Sequence, residues 1–182
     1  DHYSRYTWLD FMPSKSSRCT QQSFLRYCAH TQCTPSHVHT DGGKEFLGNL
    51  SAHLRDNTIY QTFTCPYRSF QNSIVERRVR SLKEGARACM LESGLPEQFY
   101  GRAMHTASVA LNAHPTIDDP VHANTTPFAV MFPNRTQPKL RVFGSLAYVL
   151  NTPKQSRKDN LKLPGSIGWF IGYSDHSWAT SF

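Results

Sequence analysis

Acid is scarce in this sequence. Thirteen Asp and Glu stand against twenty Lys and Arg, a formal net charge of +7 with a pI near 9.3. That balance argues against an acidic scaffold and favours a polyanionic partner, nucleic acid first. Charged residues are also few in total, 18% of the chain, which excludes a disordered polyelectrolyte. No apolar run reaches the ~20 residues of a membrane-spanning helix, so no membrane partner is expected. There is no internal repeat and no low-complexity tract. Cysteine is present, but five residues at irregular spacing (Cys19, Cys28, Cys33, Cys65, Cys89) build no disulfide framework. No secretory leader precedes them, and they are expected to be reduced intracellular thiols. Cys28, Cys33, His37 and His39 crowd together, yet the Cys-x4-Cys-x3-His-x-His spacing fits no zinc template. The chain opens on Asp1, without an initiator methionine and beside a strand-like run, so it is expected to continue upstream.

What is there suffices for a core. The 182 residues are 38% hydrophobic and include eleven Phe, enough for one good-sized domain with a small appendage. Tyr6–Met12 is rich in aromatics and β-formers and predicts a strand that Pro13 ends. Cys19–Thr31 predicts a helix with Phe24, Leu25 and Cys28 inward. Ser36–Thr40 predicts a short strand running into the glycine turn Asp41–Phe46. Phe46–Arg55 follows as a helix, Thr58–Phe63 as a strand and Cys65–Asn72 as a loop. Two long helices are expected next, Ser73 to about Glu92 and Pro96 to about Asn112, with a shorter one from Thr126 to Phe132. From Leu140 the period changes to that of strands: Val142–Leu150, Ile167–Tyr173 and Trp178–Phe182. Strand and helix alternate and then strands stand alone, which predicts an α/β domain over 1–134 and a small β domain over 135–182. Asn134–Phe182 holds seven Lys or Arg and two Asp, so much of the excess charge sits there.

The helix from Ser73 carries the pattern of most chemical interest. Val75, Val79, Leu82, Ala86 and Met90 recur at helical spacing and predict a buried face. Beside it, Glu76, Arg80 and Lys83 at i, i+4 and i+7 form one strip, a carboxylate followed by two cations. Asp41 follows a short strand in its glycine turn. If the helix packs beside that strand, Asp41 and Glu76 could share a divalent cation, and the cations could grip a phosphodiester. The residues equally allow a turn aspartate, a dipole-stabilised acid in a first helical turn and a solvated ion-paired helix. Asp118-Asp119 before Pro120 fits a turn better than a metal site. Trp169, Phe170 and Tyr173 fit strand packing better than base stacking. Lys154, Arg157, Lys158 and Lys162 lie in one basic loop, which allows nonspecific phosphate contact and a merely solvated loop equally.

Seven stretches, in order along essentially the whole chain, resemble the integrases of copia-type LTR retrotransposons. Asp1-His2-Tyr3-Ser4-Arg5-Tyr6-Thr7-Trp8 is similar to their Asp-Asp-Phe/Tyr-Ser-Arg-Tyr-Thr-Trp, and Thr40-Asp41-Gly42-Gly43-Lys44-Glu45-Phe46 to Ser-Asp-Asn-Gly-Gly-Glu-Phe. Cys65-Pro66-Tyr67 through Gln71-Asn72-Ser73-Ile74-Val75-Glu76-Arg77 resembles Ala-Pro-Tyr through Gln-Asn-Gly-Val-Ala-Glu-Arg. Gly94-Leu95-Pro96 with Leu111-Asn112-Ala113-His114-Pro115, then Thr126-Pro127-Phe128, match the downstream helices. Leu140-Arg141-Val142-Phe143-Gly144 and Gly168-Trp169-Phe170-Ile171-Gly172-Tyr173-Ser174 resemble the start and end of the β tail.

The resemblance implies a ribonuclease H-like integrase core, incomplete at its N-terminus, followed by a small all-β barrel similar to Src-homology-three domains. It implies an Asp-Asp-Glu triad and Mg2+ or Mn2+, with Asp41 and Glu76 as catalytic and metal-ligating residues. It implies DNA contact at Arg77, Arg80 and Lys83, with Lys154, Arg157 and Lys158 in the tail. The partners implied are retroelement ends and target DNA, an oligomer assembled on that DNA, and action in the nucleus. Four departures stand out. The chain begins after the strand that carries the family's first catalytic aspartate, and neither Asp1 nor Asp10 substitutes for it. Asp41 and Glu76 are 35 positions apart, one fewer than usual. Gly42 replaces asparagine, and Ser73 replaces a glycine whose loss stiffens the preceding loop if that position needs φ > 0. The isolated chain is expected to bind DNA without catalysing strand transfer, either as an integrase fragment or as a domesticated or decayed nucleic-acid-binding module.

Overall fold

The structure, a computed structural model, describes residues 1–64, 73–115, 122, 124–150, 165–174 and 180–181. It divides into two compact units, one of 8–79 and one of 1–7 with 80–182.

The 8–79 unit is built around a parallel strand pair. Helix α1 (Ser17–Thr31) starts where Ser16 accepts the Cys19 N–H, and it ends at Gln32 in the left-handed region. Strand β1 (His37–Thr40) leads through a 3-10 turn (Lys44–Phe46) to α2 (Asn49–Asp56) and then β2 (Tyr60–Phe63). β1 pairs with β2 in parallel, His37 opposite Tyr60 and Thr40 opposite Phe63. A parallel pair needs a crossover, and α2 supplies it. Leu50, Leu54 and Ile59 form the core, with Phe24, Val38 and Phe46 packed on it. Leu54 is fully buried, so truncating it should cost about 2–5 kcal/mol. Leu25 is an exception to the expected inward face of α1: it is 43% exposed.

The other unit is helical with a β periphery. Helix α3 (Ser73–Ser93) contributes its residues from Arg80 onward. A 3-10 turn (Glu97–Phe99) leads into α4 (Tyr100–Ala113), and α5 (Pro127–Met131) is capped by Thr126. Gly85 lies close to α4, since a Cβ there would stand 3.1 Å from the Cβ of Ala107. Ala86 and Ala103 join Phe143 in one cluster, and Val109, Phe170 and Tyr173 form another. Three residues of the β region therefore bury against these helices. β3 (Leu146–Leu150) pairs antiparallel with β4 (Gly165–Trp169), and β5 (Gly172–Tyr173) with β6 (Thr180–Ser181).

Several sequence expectations change here. Tyr6–Met12 forms no strand among the described residues. A strand needs a ladder, and the Asn112 side chain takes that role at Thr7: its Oδ1 accepts the Thr7 N–H at 2.8 Å and its Nδ2 donates to the Thr7 carbonyl at 2.9 Å. Tyr6 buries instead beside Phe128 and Phe132. The strand expected over Val142–Leu150 begins only at Leu146, because Gly144 at φ +78 turns the chain and its N–H donates to the Phe170 carbonyl at 2.8 Å. The strand expected over Ile167–Tyr173 divides at Phe170 and Ile171, where Phe170 turns into the cluster with Val109. Along α3 only Leu82 and Ala86 are buried, whereas Val75 and Val79 are 61% and 40% exposed. The core around Leu54 takes Phe24, Val38 and Phe46 as neighbours and not these valines. Ser73 occupies a helical position without positive φ, so the condition for strain there is not met.

Candidate metal and nucleic-acid site

Asp41 stands where β1 ends and the glycine turn begins. Thr40 is buried and anchors the strand end, while Asp41 is exposed. Its Oδ1 accepts the Gly43 N–H at 3.1 Å, the turn role that aspartate plays at such positions. Gln61 on β2 holds the turn from the side, donating to the Phe46 carbonyl at 3.2 Å and to Thr40 Oγ1 at 3.4 Å. Gly43 lets two carboxylates come close: a Cβ there would lie 2.7 Å from Glu45 Oε2 and 3.0 Å from Asp41 Oδ1. A side chain at this position would push against both. Their hard oxygen donors suit Mg2+ or Mn2+, so the donor set fits the ion that the sequence resemblance implies.

Glu76 lies in the first turn of α3 and is exposed. It makes no ion pair or hydrogen bond among the described residues. Asp41 and Glu76 fall in the same compact unit. No group of three or more His, Cys, Asp and Glu clusters among the described residues. The crowded Cys28, Cys33, His37 and His39 therefore form no such metal cluster.

Most α3 cations are exposed. Arg77, Arg80 and Lys83 are exposed, and Arg77 Nε donates to the Ser73 carbonyl at 3.4 Å. Arg80 and Lys83 have no carboxylate partner among the described residues. Arg87 continues the strip four residues after Lys83 and is likewise exposed and unpaired among the described residues. Sequence reasoning missed Arg87 and Glu45. The signals were present: Arg87 keeps the 4-3-4 spacing begun at Glu76, and Glu45 closes an Asp-x-x-x-Glu turn. Lys154, Arg157, Lys158 and Lys162, like Asp118 and Asp119, lie outside the described residues.

A parallel strand thus ends in an exposed aspartate, and a later helix starts with an exposed glutamate. The structure superposes on the catalytic core domain of BIV integrase with a TM-score of 0.53, covering 71% of this chain and 80% of that one at 21% identity. A magnesium complex of the HTLV-2 integrase catalytic core gives 0.50 over 65% of this chain and 71% of that one at 21% identity. The fold is thus integrase-core-like, with mixed helices and strands.

The sequence relatives narrow the class. The chain is homologous over 96% of its length to the retrovirus-related Pol polyproteins from transposons RE1 and RE2 of Arabidopsis thaliana, 27% identical to each. It is 26% identical over 98% of its length to the one from transposon TNT 1-94 of Nicotiana tabacum. It spans 12–13% of the length of these polyproteins. No protein-family model matches it. Among the described residues no helix is long and apolar enough to cross a membrane.

Proposed function

We propose that this chain is the integrase segment of a retrotransposon Pol polyprotein, with a core over 1–134 followed by a small Src-homology-three-like barrel over 135–182. In this reading it binds retroelement ends and target DNA, works as an oligomer on that DNA and acts in the nucleus. The observation that carries the proposal is the open Asp41 carboxylate at the end of β1, in one compact unit with Glu76 at the start of α3. The integrase-core-like fold and the Pol homologues support it.

Asp41 and Glu76 would hold Mg2+ or Mn2+. When bound, such an ion lowers the pKa of an attacking water or 3′-hydroxyl and stabilises the leaving oxygen of an in-line phosphoryl transfer. The chain's own residues do the rest. Gln61 and the Gly43 N–H keep the Asp41 turn in place. Arg77, Arg80 and Lys83 would hold the phosphodiester backbone against α3, with Lys154, Arg157 and Lys158 adding phosphate contacts from the tail. In this reading the isolated chain binds DNA and the ion without transferring strands.

Titration of Mn2+ followed by electron paramagnetic resonance tests the metal assignment. Asp41→Asn and Glu76→Gln should each weaken binding at least ~10-fold, since each removes one of few charged ligands. Affinity unchanged in both variants would remove the carboxylates from the site.

A further inference from the structure

The exposed face of the parallel sheet carries a second cluster that the proposed function does not use. His37 and His39 alternate along β1, so their rings emerge on the same face. Both meet one hydroxyl on β2: His37 Nε2 lies 2.6 Å from Thr62 Oγ1, and His39 Nδ1 lies 2.9 Å from the same atom. The other nitrogen of His39, Nε2, lies 3.2 Å from Thr64 Oγ1.

The hydrogen-bond directions in this cluster follow from counting protons. The Thr64 hydroxyl donates to the Thr40 carbonyl at 3.3 Å. A hydroxyl has one proton, so Thr64 accepts from His39, and His39 Nε2 carries the N–H. In a neutral ring, Nδ1 of His39 then presents a lone pair, and the Thr62 hydroxyl donates to it. Thr62 accepts in turn from His37 Nε2. The lone pair of His39 is thereby aimed at the point where the His37 ring also arrives. A tautomer change at His37, whose ring is open to solvent, gives a second lone pair at that point.

We propose that His37 Nε2 and His39 Nδ1 form a chelate for a divalent transition ion of the zinc type, the exposed Thr62 hydroxyl that both now face rotating aside to admit it, with Thr64 as the positioning residue. Two imidazoles at i and i+2 on one strand give the convergence, and water completes a tetrahedral shell. Thr64 does what outer partners of metal-bound histidines do: it takes the distal ring N–H and fixes the tautomer and the ring plane. Imidazole nitrogen selects Zn2+, Ni2+ or Cu2+ over Mg2+, whereas the oxygen donors at Asp41 select the reverse. The chain would then hold two ions of different chemistry on adjoining stretches of β1 and the turn after it.

The test is calorimetric titration of the full 182-residue chain with Zn2+ in excess Mg2+. His37→Ala/His39→Ala should lose one bound ion per chain relative to the native protein, with an unchanged circular dichroism spectrum because both rings are exposed. Thr64→Val should keep that ion but weaken it by about tenfold. The same stoichiometry and affinity in the double histidine variant would overturn the proposal. So would a site that fills only at millimolar Zn2+, which would mark an adventitious ion only.

Discussion

Replacing Gly43 by alanine separates the chemistry of the turn from its stability. Gly43 has φ −62 and ψ 140, extended values that alanine adopts without strain. Exchanging glycine for alanine at such a position narrows the unfolded ensemble and should stabilise by about 0.4–1 kcal/mol. Against this stands the new methyl group, 2.7 Å from Glu45 Oε2, 2.8 Å from Glu45 Cδ and 3.0 Å from Asp41 Oδ1. Ordinary contact needs about 0.7 Å more than the shortest of these. The Glu45 carboxylate can swing away at little cost, being the end of a flexible side chain. Asp41 must give way by a few tenths of an ångström, and its bond to the Gly43 N–H resists. The net effect on stability should stay within about 1 kcal/mol of zero. The methyl group, however, displaces both carboxylates, Asp41 among them. Urea denaturation should therefore show little change, while Mn2+ titration shows affinity reduced ~10-fold, about 1.4 kcal/mol. Native Mn2+ affinity in the folded Gly43→Ala chain would refute the reasoning, because the ion would then not depend on the position of the Asp41 carboxylate.

Three further predictions address the scaffold and the surface. Asn112→Ala should cost about 2–3 kcal/mol in urea denaturation, since both of its hydrogen bonds to the Thr7 backbone go at once; a loss under 1 kcal/mol would mean water replaces them. Arg80→Ala, Lys83→Ala and Arg87→Ala should each lower the slope of log affinity against log salt for duplex DNA by about 0.9, and an unchanged slope in Arg87→Ala would end the strip at Lys83. Burial pushes the Tyr173 hydroxyl above its usual pKa of 10.0, against the opposing effects of the Arg141 backbone hydrogen bond and charge. The folded chain thus favours the protonated phenol. That stability is complete below pH 10 and is lost as pH rises through the folded pKa. Stability should therefore fall more steeply above pH 10 in the native chain than in Tyr173→Phe, and parallel curves would contradict the burial argument.

The helices were legible because their signals are local. Ser16 caps α1, Thr126-Pro127 starts α5, and the apolar spacing marks α3 and α4. The β1–turn–α2–β2 run was legible for the same reason, since two glycines punctuate it. What escaped depends on residues far apart in sequence. Tyr6–Met12 has strand composition, yet Asn112, 105 positions after Thr7, takes up the backbone groups that a neighbouring strand would use. Val75 and Val79 fit the apolar period of α3, but periodicity cannot say which turns meet a partner, and burial reaches only Leu82 and Ala86. The candidate carboxylates were found from motif and turn, Asp41 and Glu76 alike. Their neighbour Glu45 became visible only through its close approach to Gly43. Likewise, sequence spacing set His37 and His39 beside two cysteines in a failed zinc pattern, whereas the parallel register sets them against Thr62 and Thr64.

The central claim is that one hard divalent ion sits between Asp41 and Glu76, and affinity cleavage by bound Fe2+ measures it most directly. With ascorbate and peroxide, an ion held by both carboxylates should cut the backbone at two places, within 41–45 and within 73–77. Excess Mg2+ should suppress both cuts together. A single cut, or cuts elsewhere that Mg2+ displaces, would contradict a shared site.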